Sequence, residues 1–152
     1  MFSVYRFHIT AVVALFAIVS ACAGPSKEAY IGYLGPERPE SEIATLRLGD
    51  AEWAKIDSLD TPYRDFHVSH HMYGEIKLMA GEYHIEWGRV FGFSPLVNPA
   101  MSAEYKHDEA ISLTDGHSYT LHAQRTYGRG YRVFFWVEDN TTGRVVAGTK
   151  KS

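Results

Sequence analysis

From Glu42 onward the chain falls into short runs of β-branched and aromatic residues, closed by turn formers roughly every ten residues, with no sustained helical period. That pattern confines the chain to an all-β domain. The runs predict strands at Glu42–Leu48, Glu52–Asp57, Glu75–Met79, Glu82–Trp87, Ser102–Leu113, Ser118–Thr126, Tyr131–Glu138 and Arg144–Gly148. The best-marked hairpin joins Ser118–Thr126 to Tyr131–Glu138, because Tyr127-Gly128-Arg129-Gly130 supplies two glycines able to take positive φ. Ala80-Gly81, Asp115-Gly116 and Asn140-Thr141-Thr142-Gly143 mark further turns.

Alternation assigns faces. Tyr83, Ile85 and Trp87 point one way and Glu82, His84 and Glu86 the other, which describes a half-buried strand. In Tyr131–Glu138 the apolar residues occupy both faces, Tyr131, Val133, Phe135 and Val137 opposing Phe134 and Trp136, as in an interior strand. A small antiparallel β-sandwich, immunoglobulin-like or transthyretin-like, accommodates this better than a sheet with one wet face. The stretch Gly88 to Pro99 reads as a long loop.

The N-terminus carries a different signal. Arg6 precedes an apolar run from Ile9 to Val19, and Val19-Ser20-Ala21-Cys22 follows it. The run is too short to span a hydrocarbon core of about 30 Å and has the length of a cleaved signal segment. Val19-Ser20-Ala21-Cys22 resembles the lipobox of bacterial lipoproteins. That resemblance implies residues 1–21 as signal peptide, lipidation of Cys22 and, with Ala23 following, sorting to the outer membrane. Ala21-Cys22-Ala23 also satisfies an Ala-x-Ala cleavage pattern, the alternative of ordinary secretion. Cys22 is the single cysteine, so the fold must hold without a disulfide. Residues 22–40, with Pro25, Pro36 and Pro39 among glycines, suit an extended tether, and 41–152 the domain; the part from Tyr30 onward is expected to dock on that domain.

The chain carries a net charge of −3, and loss of residues 1–21 removes one basic and no acidic residue. No basic face is advertised, which argues against nucleic acid as a partner.

Tyr33-Leu34-Gly35-Pro36, Glu42-Ile43-Ala44-x-Leu46, Ile56-Asp57, Tyr83-His84-Ile85, Gly116-x-x-Tyr119 and Trp136-Val137-Glu138-Asp139 occur in an order that, closed by Thr142-Gly143-x-Val145-Val146-x-Gly148, resembles a family of uncharacterised bacterial envelope lipoproteins. The resemblance implies a lipidated β-domain facing the periplasm or surface, and no reaction. Ser58 departs from the glycine that the family tends to place there, and Tyr63–Tyr73 is unusually rich in histidine.

Two sets of residues are candidates for function. Phe91 and Phe93 lie in the expected loop, where exposed aromatics would dock an envelope protein or cell-wall partner. His67, His70 and His71, completed by His84 and with Asp65, Glu75 or Glu86 at hand, form the alternative, a periplasmic metal site. On a strand His67 and His71 share a face and His70 takes the other. No Gly-x-Ser-x-Gly elbow is present, and Glu138-Asp139 sits where an aspartate opens a turn, so the chain reads as non-enzymatic and without a cofactor. The expected role is therefore a membrane-anchored binding or structural module; an inhibitor of a cell-wall hydrolase would share its size and address.

Overall fold

The computed structural model describes residues 27–58, 66–92, 103–126 and 132–151. Among these the chain is all-β: β1 Ala29–Ile31, β2 Ala44–Arg47, β3 Trp53–Ser58, β4 Phe66–Ser69, β5 Glu75–Leu78, β6 Gly81–Phe91, β7 Ala103–Leu113, β8 Ser118–Thr126, β9 Arg132–Asp139 and β10 Arg144–Gly148, with a 3-10 turn at Glu40–Glu42. Two sheets pack together as a sandwich. The first has the order β1-β5-β2-β8-β9-β10 and the second β4-β3-β6-β7. Most pairs are antiparallel, but β1–β5 and β2–β8 run parallel.

The alternation expected for Tyr83, Ile85 and Trp87 is present: all three are buried, facing Leu46, Leu78, Leu121 and Val137 of the other sheet within one core. Trp87 is the largest fully buried side chain, and its Nε1–H donates to the carbonyl of His122 at 3.1 Å, a bond that joins the two sheets. The Tyr119 hydroxyl accepts the Thr114 N–H at 3.0 Å and closes the β7–β8 turn. As expected, β9 is interior to its sheet, with Val137 in the core and Trp136 covered on the outer face by His122 at 4.4 Å between ring centroids.

Three differences from the expectations have physical causes. Gly88 to Phe91 is strand, correcting the expected loop: β6 continues for its full length against β7, Phe91 opposing Ala103. Glycine at 88 admits the indole of Trp53, whose Cζ2 would stand 2.5 Å from a Cβ placed there. Strand β1 lies inside the stretch expected as tether, so the sheet begins at Ala29. Tyr30 indeed docks, stacking on Phe66 at 5.0 Å and meeting Tyr73 edge-on at 5.3 Å. Strand β4, which had no sequence counterpart, supplies Phe66 to that cluster and buries Val68.

Candidate functional site

Register places one end of the sandwich unambiguously. Arg47 at the end of β2 opposes Glu75 at the start of β5, Trp53 at the start of β3 opposes Gly88 near the end of β6, and Thr126 at the end of β8 opposes Arg132. Gly49–Glu52, the His70–Gly74 turn and the end of β6 gather there, and β8 runs on beyond it, since Arg47 pairs with Thr120, six residues before the end of that strand. Lys27, the first described residue, joins them: its Nζ donates to the His70 carbonyl and lies 3.4 Å from His70 Nδ1.

At this end the inward-facing positions change character. Along β6 the series Tyr83, Ile85, Trp87 continues as Arg89 and Phe91; along β8 the series Tyr119, Leu121, Ala123 continues as Arg125. The two strands belong to opposing sheets, so each sheet contributes an arginine to the rim of the core. Arg89 and Arg125 line one cleft of about 230 Å³ with Asp50, Phe91, Ala123 and Gln124. The Nε of each arginine is buried, as expected of side chains that lay their stems on apolar surface and carry the charge outward.

Arg89 is positioned from two sides. Its Cζ lies 5.2 Å from the Phe91 ring centroid, within cation–π range, and Phe91 in turn meets Tyr105 edge-on at 5.9 Å. Its Nε is 3.9 Å from Glu52 Oε1, a charge pairing longer than a hydrogen bond. The other oxygen of Glu52 accepts the Val90 N–H at 3.3 Å. A second cleft of about 330 Å³, lined by Gly49, Asp50, Ala51, Glu52, His70, His71 and Arg89, shares Asp50 and Arg89 with the first. Asp50 is already engaged, its Oδ2 lying 3.3 Å from His122 Nδ1. Gly49 at φ +51° makes the bend that brings this loop in, where a Cβ would stand 2.5 Å from the Leu121 carbonyl. The arrangement presents two guanidiniums beside an aromatic ring, the donor set for a carboxylate or phosphate.

The histidines are distributed differently. His70 and His71 meet edge-on at 6.5 Å and both line the larger cleft. His67 is on the outer face of the four-stranded sheet, tilted against Trp53 at 5.6 Å. His84, on the same face, pairs with Asp108 at 3.3 Å. Strand β3 stands between β4 and β6, so Lys55 separates His67 from Glu86. The structure thus joins His70 to His71 and leaves His67 and His84 elsewhere; among the described residues no three His, Cys, Asp or Glu side chains are grouped to hold a metal ion. Phe91 lies at the cleft, while Phe93, Asp65 and Cys22 lie outside the described residues.

Glu138 and Asp139 face apart, as alternation requires. Glu138 pairs with Lys150 at 2.6 Å, and that hydrogen bond holds its carboxyl below the ordinary value. Asp139 caps the following turn at the other end of the sandwich, accepting from the Thr141 N–H and the Thr142 N–H and hydroxyl. Sequence reading missed Arg89, Arg125 and Asp50. The available signal was an arginine at the same inward parity two residues beyond the last core residue of both β6 and β8.

The chain matches no family model, no curated protein and no solved structure.

Proposed function

We propose that the protein is a bacterial envelope lipoprotein, held by acyl chains on Cys22, whose sandwich is a non-catalytic module binding an oxyanion-bearing ligand at the Arg89–Arg125 end. The observation supporting the binding role is the convergence of these two arginines, one from each sheet, on a single open cleft beside Phe91. A guanidinium donates in a planar fork that matches carboxylate and phosphate oxygens, and Phe91 offers an apolar surface beside it. The anchor is supported by Val19-Ser20-Ala21-Cys22 behind its apolar run.

The test is the intact mass of protein extracted gently from its own membranes. A chain that starts at Cys22 and carries acyl mass is the expected result; one that starts at Gly24 without lipid overturns the anchor. A transition metal retained in the same spectrum, and lost from the His70→Ala/His71→Ala variant, would replace the oxyanion reading with a metal-binding one.

A further inference from the structure

We infer that the Arg89–Arg125 end of the sandwich docks on the bilayer that holds the Cys22 acyl chains, so that the oxyanions it takes are the phosphates of lipid headgroups. The inference rests on the proposed lipidation of Cys22 and adds to it an orientation and a ligand.

The argument begins with length. Five residue steps separate Cys22 from Lys27, and even a fully extended chain advances at most about 3.6 Å per residue, so Lys27 stands within roughly 18 Å of an acylated Cys22. Lys27 touches His70, and His70 lines the cleft that shares Arg89 and Asp50 with the Arg89–Arg125 cleft. The chain therefore enters the sandwich at the end that carries the arginines. Strand β6 runs the length of the sandwich, about 33 Å for its residues at strand rise, which sets the opposite end far from the anchor.

Surface chemistry differs between the two ends in the same sense. Near the anchor are Lys27, Arg89, Arg125 and Arg132, with the acids Glu28 and Glu104 among them, together with the exposed apolar side chains Met72, 64% exposed, and Val90. Glu52 and Asp50 are also there, Glu52 set against Arg89 and Asp50 against His122, so acidic and basic side chains come to balance at this end. Around the far end lie Glu37, Glu40, Glu42, Asp115, Glu82 and Asp139, outnumbering Arg38, bound to Glu42, and Arg144, opposite Asp139. An anionic bilayer repels the acidic second end and not the balanced first, and within about one Debye length, roughly 8–10 Å, a range the short connection permits, headgroup phosphates act on Lys27, Arg89 and Arg125. Cations beside apolar side chains are the composition of a surface that rests at the headgroup level.

The test uses the full-length acylated protein reconstituted into vesicles of phosphatidylglycerol with brominated acyl chains. A fluorophore is attached at Met72→Cys, or at Asp115→Cys on the far end as reference. The lipid should quench the probe at 72 and spare the probe at 115. Arg89→Gln with Arg125→Gln should lower the docked-to-undocked ratio by about tenfold or more while the protein still floats with the vesicles. Lys27→Glu, an exposed change that leaves the core untouched, should act in the same direction if the double variant folds poorly. Equal quenching at 72 and 115 in acylated, vesicle-bound protein overturns the docking and leaves the anchor standing. Quenching at 72 that survives both the double variant and Lys27→Glu also overturns it, by removing the headgroup contact. Protein without acyl mass that fails to float overturns the anchor, and the orientation with it.

Discussion

Asp139 is the one buried charged side chain among the described residues, and four polar contacts compensate its burial. Its Oδ1 accepts the N–H groups of Thr141 at 2.9 Å and Thr142 at 3.3 Å; its Oδ2 accepts the Thr142 hydroxyl at 2.8 Å and lies 2.9 Å from His117 Nδ1. Burial by itself raises the carboxyl, but the contacts with His117, Thr142 and Thr141 outweigh it and hold Asp139 below the ordinary aspartate value. The folded state therefore releases this proton more readily than the unfolded chain. Its contribution to stability is complete above the unfolded value, near pH 4, and is lost as the pH falls through the depressed folded value. Asp139→Ala should cost about 1–3 kcal/mol at neutral pH, since it strands the donors of the turn. Urea midpoints for wild type and Asp139→Asn should differ most at neutral pH and converge toward pH 2–3, as expected for a carboxylate stabilised on folding. A constant gap across that range would mean that the aspartate acts through shape alone. The identity of this cap was legible in sequence, because Asp-Asn-Thr-Thr-Gly is a turn with its own local acceptor.

At the scale of elements, legibility followed how local the cause was. Strand β6 was readable from Tyr83, Ile85 and Trp87, yet its extent was not, because glycine at 88 reads as a loop opening until Trp53 is seen lying on it from β3. Strands β1 and β4 are three and four residues long, too short for a period to register. They are held by pairing and by the Tyr30–Phe66–Tyr73 cluster, in which Tyr30 is far along the chain from the other two. The Arg89–Arg125 cleft was illegible for a related reason: parity places each arginine on an inner face, but only the stacking of sheets brings the faces together. Gly88→Val tests the β6 account. Its side chain would also crowd the Tyr105 carbonyl, which a Cβ would approach to 2.8 Å. Displacement of Trp53 should cost about 1–3 kcal/mol and move tryptophan emission to the red, as overpacking in a tight site does. Unchanged emission and midpoint would show that Trp53 packs there by convenience and that β6 tolerates a side chain at 88.

At the scale of the whole molecule the six-stranded sheet is closed by partners remote in sequence. Thr45 of β2 pairs with Ser118 of β8, and Tyr30 of β1 with Ile76 of β5, both in parallel. Parallel pairing forbids a tight hairpin, so the six-stranded sheet assembles only after the chain between β2 and β8 has been gathered in. With Cys22 as the single cysteine, no internal disulfide shortens those loops. The local hairpins β6–β7 and β8–β9 each present one apolar face, and each buries it only when the other sheet arrives; Trp87 and His122, bonded across the sheets, mark the contact that completes them. Refolding should therefore be slow for a domain of this size, in the millisecond-to-second range found for proteins built from non-local β pairing. Stopped-flow tryptophan emission would report it, since Trp87 gains its buried surroundings only on docking of the sheets. Leu46→Ala, in the strand shared by β5 and β8, should slow refolding as well as lower stability if β2 joins before the rate-limiting step. If β2 docks afterwards, the same substitution speeds unfolding and leaves the refolding rate alone. Refolding complete in microseconds would contradict the topology argument, because it would require that hairpin contacts alone carry the chain over its barrier.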